Sequence, residues 1–492
     1  MTPHPENKVS LAEIARNAMI SNGLEPDFSP EALAQLKTIT GPAQSDGTLK
    51  DMTGLLWCSI DNDDSRDLDQ ITVAEKLANG QIRIWVAVAD VDAVVALKSP
   101  LDLHAQKNTT SVYTGVQTFP MLPEQLSTDL TSLSENENRV AMVIEMLVDE
   151  AGQTSGSQVY RALVKNQAML AYNAVGAWLE GNGPLPPVAA KVPGMEAQLR
   201  LQDEAAQKLR NLRHQHGALD LQTLQPRAVT QDGVVTGLAL ETQNRAGQLI
   251  EDFMVAANGA TANYLTQNNF PTIRRVVKIP ERWDRIVAVA DDVGEKLPAE
   301  PDSKALSDFL TRMRQKDPLH FPDLSLTIVK LLGRGEYVLE QPGQAPMGHF
   351  GLAVRDYNHS TAPNRRYPDL ITHRLLKAAF EKKAPPYSLP ELSDLASHCT
   401  QQENNADKVE RQVRKSASAA FMANRINEYF EALVTGVNKN GTWIRLLTPP
   451  VEGKLVQGNH GLDVGDKVRV KLITLNIEQG WIDFAKVNGG SN

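Results

Sequence analysis

The sequence predicts an α+β fold that ends in a separate all-β unit, and three patterns support this. Short apolar runs typical of buried strands cluster between residues 55 and 89. Longer helical patterns follow, from Gln198 to His216 and from Leu249 to Leu265. From about Tyr429 the chain alternates apolar and polar residues in short stretches separated by glycine-containing turns. Such spacing is typical of a five-stranded OB barrel.

The length of the chain predicts several domains. A chain of 492 residues is too long for a single hydrophobic core. We expect a small helical domain in residues 1–50, a large mixed domain in residues 51–426 and a β-barrel in residues 427–492.

The first fifty residues carry two helix-start patterns. Ser10 and Glu13 have the spacing of a capping box, and Pro30 occupies the first position of a second helix. A nucleic-acid-reading helix-turn-helix and a small packing domain both fit this pattern.

Composition excludes several classes of protein. A hydrophobic content of 41% and a charged content of 22% are ordinary for a globular protein. The net charge of −9 argues against a protein that coats nucleic acid non-specifically, although a local basic channel remains compatible with it.

Cys58 and Cys399 are the only cysteines, so neither a disulfide framework nor a cysteine-rich zinc site is expected. The N-terminus lacks the apolar stretch of a signal peptide, and no apolar run is long enough to span a membrane. We expect a cytoplasmic protein with no membrane partner.

The stretch DNDDSRDLDQ, residues 61–70, contains five aspartates in nine residues, and only Arg66 opposes their charge. Two carboxylates about 4 Å apart repel by roughly 4 kcal/mol at an effective dielectric near 20. A cation would remove this cost, and Mg²⁺ prefers oxygen ligands. The alternative is a solvated acidic turn.

The flanking residues favour a functional site. A predicted buried strand, Leu55–Ile60, precedes the acidic stretch, and further strands follow at Ile71–Val73 and Ile82–Ala89. A calcium-binding EF-hand is excluded, because Arg66 stands where glycine is needed and Thr72 where glutamate is needed.

Several motifs together resemble the ribonuclease II/R (RNB) family of exoribonucleases, and they span about three quarters of the chain in the family's order. They are Ile60-Asp61-x5-Asp67-Leu68-Asp69, Val88–Val91, Thr110–Leu133, Leu249–Asn258 and His349–Leu376. The C-terminal barrel resembles an S1-type RNA-binding domain through Gly465–Val468 and Ile482–Phe484. The tandem cold-shock domains of many relatives do not fit into the first fifty residues.

The resemblance implies a site for metal-assisted cleavage of RNA. By this likeness Asp61, Asp67 and Asp69 hold Mg²⁺, as one or two ions that Mn²⁺ can replace, and Asp69 and Arg365 are catalytic. The fourth metal position, usually aspartate, is Gln70, whose neutral oxygen predicts weaker occupancy of one metal. Arginine suits a phosphate because its planar fork pairs with two oxygens.

The resemblance also implies a set of RNA-binding residues: Tyr113, Tyr172, Leu221, Glu251, Asp252, Arg365, Arg366 and Glu410. Tyr113 matches an aromatic residue that stacks on the last bases, whereas Leu221 stands where relatives often have phenylalanine and cannot stack. Tyr172 and Asp252 match a tyrosine–glutamate pair that recognises the 2′-OH, with Glu251 as a neighbouring acid. Glu410 matches a glutamate near the 3′-terminal nucleotide.

The expected function is therefore a processive, Mg²⁺-dependent 3′→5′ exoribonuclease that degrades single-stranded RNA to nucleoside 5′-monophosphates and acts as a monomer. One alternative is a catalytically weakened RNA-binding regulator on the same scaffold, which Gln70 would suit. Another is a phosphodiesterase acting on DNA or on structured RNA with an overhang.

Overall fold

The computed structural model describes residues 10–45, 47–222, 226–231, 234–240 and 243–487. The first nine residues, to which the expectation about a signal peptide refers, lie outside this set. The predicted α+β class is confirmed, because a large mixed sheet with helices is followed by a closed β-barrel. No helix in the described ranges is both long and apolar enough to cross a bilayer.

Twelve α-helices are present in the described residues: α1 Leu11–Ser21, α2 Pro30–Leu36, α3 Pro100–Asn108, α4 Tyr172–Leu179, α5 Pro187–Ala190, α6 Met195–Gln215, α7 Arg245–Gln267, α8 Trp283–Asp292, α9 Ser303–Lys316, α10 Phe321–Leu332, α11 Tyr367–Phe380 and α12 Leu389–Met422. A short π-helical turn spans Gln125–Leu130.

The strands of the described residues are β1 Lys50–Asp51, β2 Cys58–Asp61, β3 Gln70–Lys76, β4 Ile82–Ala89, β5 Val112–Tyr113, β6 Thr118–Phe119, β7 Asn138–Val148, β8 Thr154–Lys165, β9 Ala168–Ala171, β10 Pro226–Gln231, β11 Val234–Leu240, β12 Thr272–Val276, β13 Glu336–Glu340, β14 Tyr429–Asn438, β15 Gly441–Leu446, β16 Glu452–Gln457, β17 Lys467–Asn476 and β18 Trp481–Lys486.

A seven-stranded sheet forms the centre of the molecule, in the order β1-β8-β7-β4-β3-β2-β9. Its middle strands are antiparallel, and the two edge pairs, β1–β8 and β2–β9, are parallel. Strand β4 is buried along nearly its whole length, which explains its continuous apolar sequence. The adjacent helices α6 and α7 contact this sheet.

Strand β2 is shorter than the predicted strand Leu55–Ile60. Leu55 N and the Trp57 indole both donate to Met52 O, so the chain turns before Cys58. The strand then continues one residue further than predicted and ends at Asp61. As a result, the acidic stretch joins the end of β2 to the start of β3 at Gln70.

Both predicted N-terminal helices form, and the Ser10 half of the predicted capping box is present. Ser10 Oγ accepts from Glu13 N, and Pro30 lies in the first turn of α2. The buried side chains of α1, such as Met19, share one apolar cluster with Val409 and Val413 of α12. Helix α1 is therefore packed against α12. The domain boundary near residue 50 stays a prediction.

Helices α8, α9 and α10 form a small helical unit with its own apolar core, which includes Trp283, Phe309 and Ile328. Leu221 is half-buried against this core.

The C-terminal strands close into a barrel in the order β14-β15-β16-β18-β17, as the alternating sequence predicts. Its core includes Phe430 and Phe484, and the last turns of α12 pack against it through Met422. Arg445 of β15 is buried and pairs with Asp323 of α10 at 2.7 Å. That ion pair joins the barrel to the helical unit α8–α10.

Candidate active site

Three of the five aspartates in the acidic stretch are drawn inward by the fold. Asp61 and Asp67 are half-buried, Asp69 is buried, and Asp63 and Asp64 are exposed. Asp61 Oδ1 accepts hydrogen bonds from the Asn62 amide at 2.7 Å and the Ser65 hydroxyl at 2.9 Å. The stretch is therefore a structured loop rather than a solvated acidic turn.

Asp69 is only 2% exposed, and its two carboxylate oxygens have different surroundings. Oδ1 accepts a hydrogen bond from the backbone amide of Asn364 at 3.0 Å. Oδ2 has no hydrogen-bond partner and lies 3.4 Å from Arg365 Nε. Burial raises the pKa of Asp69 to about 7, although the charge of Arg365 opposes this shift. The site thus holds a carboxyl group that changes its charge near neutral pH.

This raised pKa predicts a pH-dependent stability. Between about pH 5 and about pH 7 the folded protein binds one proton more than the unfolded chain does, so stability falls as pH rises, by up to roughly 3 kcal/mol in total. Asp69→Asn lacks this titration. We therefore expect the wild-type melting temperature, measured in EDTA, to fall relative to that of the variant as the pH rises from 5 to 7. Parallel melting curves across this range would contradict the assignment.

Tyr113 joins Asp67 to Glu410. Its hydroxyl donates to Asp67 Oδ2 at 3.3 Å, and its amide donates to Glu410 Oε1 at 2.9 Å. Burial raises the pKa of both carboxyls. The tyrosine itself is 44% exposed. The three predicted site residues therefore lie together, with an aromatic surface open to solvent.

Tyr172 lies beside Asp61. It is the first residue of α4 and follows Ala171, which pairs with Asp61 across β2 and β9. Burial and the negative charge of Asp61 both raise the pKa of the Tyr172 hydroxyl, and the charge of Arg365 lowers it. The tyrosine thus lies within electrostatic range of both the acidic loop and Arg365.

The loop that presents Arg365 is fixed through the backbone carbonyl of this residue. Its carbonyl accepts from Ser111 N at 3.0 Å and from Thr110 Oγ1 at 3.1 Å. Its side chain is 43% exposed, so part of the guanidinium remains open to solvent while Nε faces Asp69.

Arg366 has a different environment from that of Arg365. Its Nε and Nη2 donate to the two oxygens of Asp369, both at 2.8 Å, and the side chain is 21% exposed. This placement argues against the predicted RNA contact, because the guanidinium donors that would bind a phosphate are already bound to the Asp369 carboxylate.

Asp252 also departs from its predicted role. Its side chain is fully buried and forms an ion pair with Arg213. Burial raises the pKa of Asp252 to about 6 even beside this arginine. The neighbouring Glu251 is 40% exposed and accepts from Gln243. Asp252 is thus turned towards Arg213, and Glu251 Oε1 also lies 3.8 Å from Arg213 Nη2. The contact of Tyr172 with an acid at this position stays a prediction.

The position of Leu221 against the α8–α10 core explains why an apolar side chain is accommodated there. Its role as an RNA-binding residue stays a prediction.

The candidate metal ligands of the site are oxygen donors, which suit a divalent cation. Within the described ranges, no three His, Cys, Asp or Glu side chains are gathered into one ligand group. The negative charge of Asp61 nevertheless raises the pKa of Asp67, and that of Asp67 raises the pKa of Asp69. Mg²⁺ commonly takes one or two carboxylates together with substrate phosphates, and Asp69 Oδ2 is a buried oxygen without a donor. The donor set fits Mg²⁺, and the assignment of Asp61, Asp67, Asp69 and Gln70 as ligands stays a prediction.

Sequence reasoning missed Asn364 as a site residue. Its amide orients Asp69, and it immediately precedes Arg365. Asn364 lies in the stretch His349–Leu376 that resembles the family, but the sequence does not indicate that its backbone amide would contact the Asp69 carboxylate.

Among proteins of known sequence, the chain is 28% identical to Ribonuclease R of Escherichia coli over 488 residues, which is 91% of this chain and 58% of that relative. The chain thus spans just over half the length of this curated relative. Among solved structures, the apo form of Mycoplasma genitalium RNase R and its complex with ribose-methylated single-stranded RNA each superpose with a TM-score of 0.88 at 21% identity, covering 98% of this chain and 79% of the other. Yeast Ssd1, a pseudonuclease, has a TM-score of 0.68 at 15% identity over 95% of this chain and 57% of its own. These likenesses show that the fold is shared by nucleases and by a pseudonuclease.

The family model of the RNB domain matches residues 49–382. The model of the RNase II-type exonuclease C-terminal S1 domain matches residues 428–487, which form the barrel. The chain therefore belongs to the RNB family and carries a C-terminal S1 domain of the RNase II type.

Proposed function

We propose that the chain is a Mg²⁺-dependent 3′→5′ exoribonuclease that degrades single-stranded RNA processively to nucleoside 5′-monophosphates, as a monomer in the cytoplasm. One observation carries the proposal. The half-exposed guanidinium of Arg365 lies 3.4 Å from the buried carboxylate of Asp69. The two residues come from distant segments, because Asn364, the residue before Arg365, is 295 positions from Asp69. Likeness to Ribonuclease R supports the same function.

Hydrolysis of a phosphodiester requires an activated water and stabilisation of charge on the attacking and leaving oxygens. The open side of Arg365 suits a phosphate, because guanidinium donors pair with two phosphate oxygens and keep their charge. Asp69 Oδ1 is held by the Asn364 backbone amide, whereas Oδ2 faces Arg365 Nε at 3.4 Å without a hydrogen bond and can still accept a cation or a water.

Nucleases of the RNB family generally use a divalent metal ion, and we propose Mg²⁺ here because all the candidate donors are oxygens. Bound Mg²⁺ would lower the pKa of a water and screen the charge of the phosphate. The chain's own contribution is to hold Asp61 through the Asn62 amide and Ser65, and Asp67 through Tyr113.

The Tyr113 ring supports recognition of a single-stranded end. Its hydroxyl is fixed on Asp67 and the residue is 44% exposed, so a base that stacks on the ring would lie next to the acidic loop. Such stacking contributes about 1–3 kcal/mol per base. This placement favours a substrate whose last bases are unpaired.

Gln70→Asp should strengthen metal binding, because it adds a negative charge at the fourth metal position. We expect the Mg²⁺ concentration for half-maximal degradation to fall by roughly 10–100-fold, the usual size of such ligand-shell effects. Titrating Mg²⁺ against the rate of both proteins measures this shift. An unchanged titration curve would show that Gln70 has no part in the metal site.

The rival function is an RNA-binding regulator with weakened catalysis. It is favoured by Gln70 and by the lack of a three-carboxylate group in the described parts of the chain. The fold is also shared with yeast Ssd1, a pseudonuclease. Against it, Asp61, Asp67, Asp69 and Arg365 are all retained, and Asp67 lies in electrostatic range of the other three.

One assay separates these functions. A 5′-labelled single-stranded oligonucleotide of RNA is incubated with the protein in Mg²⁺ or in EDTA. We expect labelled products that shorten from the 3′ end in Mg²⁺ and none in EDTA. Binding without degradation in both buffers would favour the regulator, and preferential cleavage of competing DNA or overhang-bearing duplex RNA would favour a different substrate.

A further inference from the structure

Thr131 and Ser132 lie between the two loops of the candidate site and are hydrogen-bonded to both. They follow the π-helical turn Gln125–Leu130 and are nearly inaccessible, with exposures of 6% and 0%. Neither residue contacts solvent to any extent that would suggest a direct role in binding RNA.

Ser132 fixes the loop that carries the aspartates. Its hydroxyl accepts from Leu68 N at 3.1 Å and donates to Arg66 O at 2.8 Å. The next residue, Leu133, donates its amide to Leu68 O at 3.0 Å. These three bonds hold the backbone on both sides of Asp67 and directly before Asp69.

Thr131 reaches the loop that carries Arg365. Its hydroxyl shares its one hydrogen between two acceptors, Asn364 Oδ1 at 2.5 Å and Leu126 O at 2.8 Å. Asn364 in turn donates its amide to Asp69 Oδ1 and immediately precedes Arg365. A single side chain therefore connects the π-helical turn to the residue that contacts Asp69.

The central sheet provides a fixed support for these contacts. Asn166, next to the end of β8, donates from Nδ2 to Leu133 O and to Ser59 Oγ, each at 3.0 Å, and is 1% exposed. Because Ser59 belongs to β2, which ends at Asp61, the same network also reaches the start of the acidic loop.

We propose that Thr131 and Ser132 are positioning residues that set the separation of Asp69 from Arg365. This inference rests on the proposed nuclease function. The separation matters because a displacement of about 1 Å in a catalytic constellation can cost about 10²-fold in rate. The two hydroxyls act through Asn364 and the Leu68 backbone, and they do not touch the RNA.

The test compares three substitutions at one turn. Thr131→Val removes the hydroxyl and keeps the shape, and Thr131→Ser keeps the hydroxyl. Thr128→Val is the matched control, because Thr128 Oγ1 bonds within its own turn, to Glu124 O at 2.8 Å. We expect Thr131→Val to lower kcat by about 10-fold, as changes in supporting hydrogen bonds commonly do. KM, and the Kd for RNA in EDTA, should stay unchanged.

Thr131→Ser should restore kcat, and Thr128→Val should match the wild type. Ser132→Ala, with its melting temperature measured to verify folding, should lower kcat by about 10–100-fold with KM unchanged. A normal kcat in Thr131→Val, an equal loss in Thr131→Ser, or a parallel loss in Thr128→Val would overturn the inference while leaving an active wild type intact. An inactive wild type would instead overturn the proposed function, and this inference with it.

Discussion

Asp69→Asn is expected to abolish RNA degradation while RNA binding is retained. The substitution keeps the size of the side chain and its acceptor for the Asn364 amide, but it removes the negative charge next to Arg365. The lost charge is the one that a cation or a developing positive group would need at this buried position. We expect the rate to fall by at least about 10²–10³-fold, as it does when one preorganised electrostatic contact is removed. The 5′-labelled RNA assay in Mg²⁺ measures it.

Asp63→Asn is the matched control for this prediction. It makes the same substitution in the same loop, but at an exposed side chain, so the rate should be close to that of the wild type. Binding is followed separately by fluorescence anisotropy of labelled RNA in EDTA. An Asp69→Asn protein that still degrades RNA at the wild-type rate would refute the central role of this carboxylate.

Much of the fold was predictable from local patterns. The alternation after Tyr429 predicts the barrel because each of its strands has one face in a small core, so every second residue is apolar. The cap at Ser10 and the proline at the first position of α2 predict the N-terminal helices, since both signals depend on neighbouring residues alone. The turn at Leu55 was missed, because an apolar run has the same appearance in a strand and in a buried turn.

The site was predictable only in part, because its residues come from distant segments. The pairing of Asp69 with Arg365 follows from the resemblance, and no periodicity in the sequence relates the two residues. Asp252 shows the limit of such transfer. The short side chain of a buried aspartate pairs with whichever cationic side chain the packing places nearest, and for Asp252 this is Arg213. The contacts of Thr131 and Ser132 could not be predicted, since hydroxyl–backbone bonds leave no compositional pattern.

The second large effect is expected at Arg365. Arg365→Ala removes the half-exposed guanidinium and leaves the Asp69 carboxylate without its opposing charge. We expect degradation to fall by about 10²–10³-fold, because a donor group aimed at the reacting phosphate is lost. Loss of the guanidinium should also raise the pKa of Asp69 above its value of about 7, so the residual activity should require a higher pH than that of the wild type. A pH–rate profile of both proteins measures this displacement.

Arg365→Lys separates charge from geometry. Lysine keeps the positive charge beside Asp69 but cannot pair with two phosphate oxygens at once. The pH–rate profile of this variant should therefore stay near that of the wild type while its rate remains low. Arg16→Ala is the matched control, because Arg16 is 46% exposed and also pairs with an aspartate, Asp27, outside the site. If Arg365→Ala and Arg16→Ala had equal rates, Arg365 would be an ordinary surface cation. If Arg365→Lys were fully active, the positive charge alone would suffice and the two-oxygen contact would be wrong.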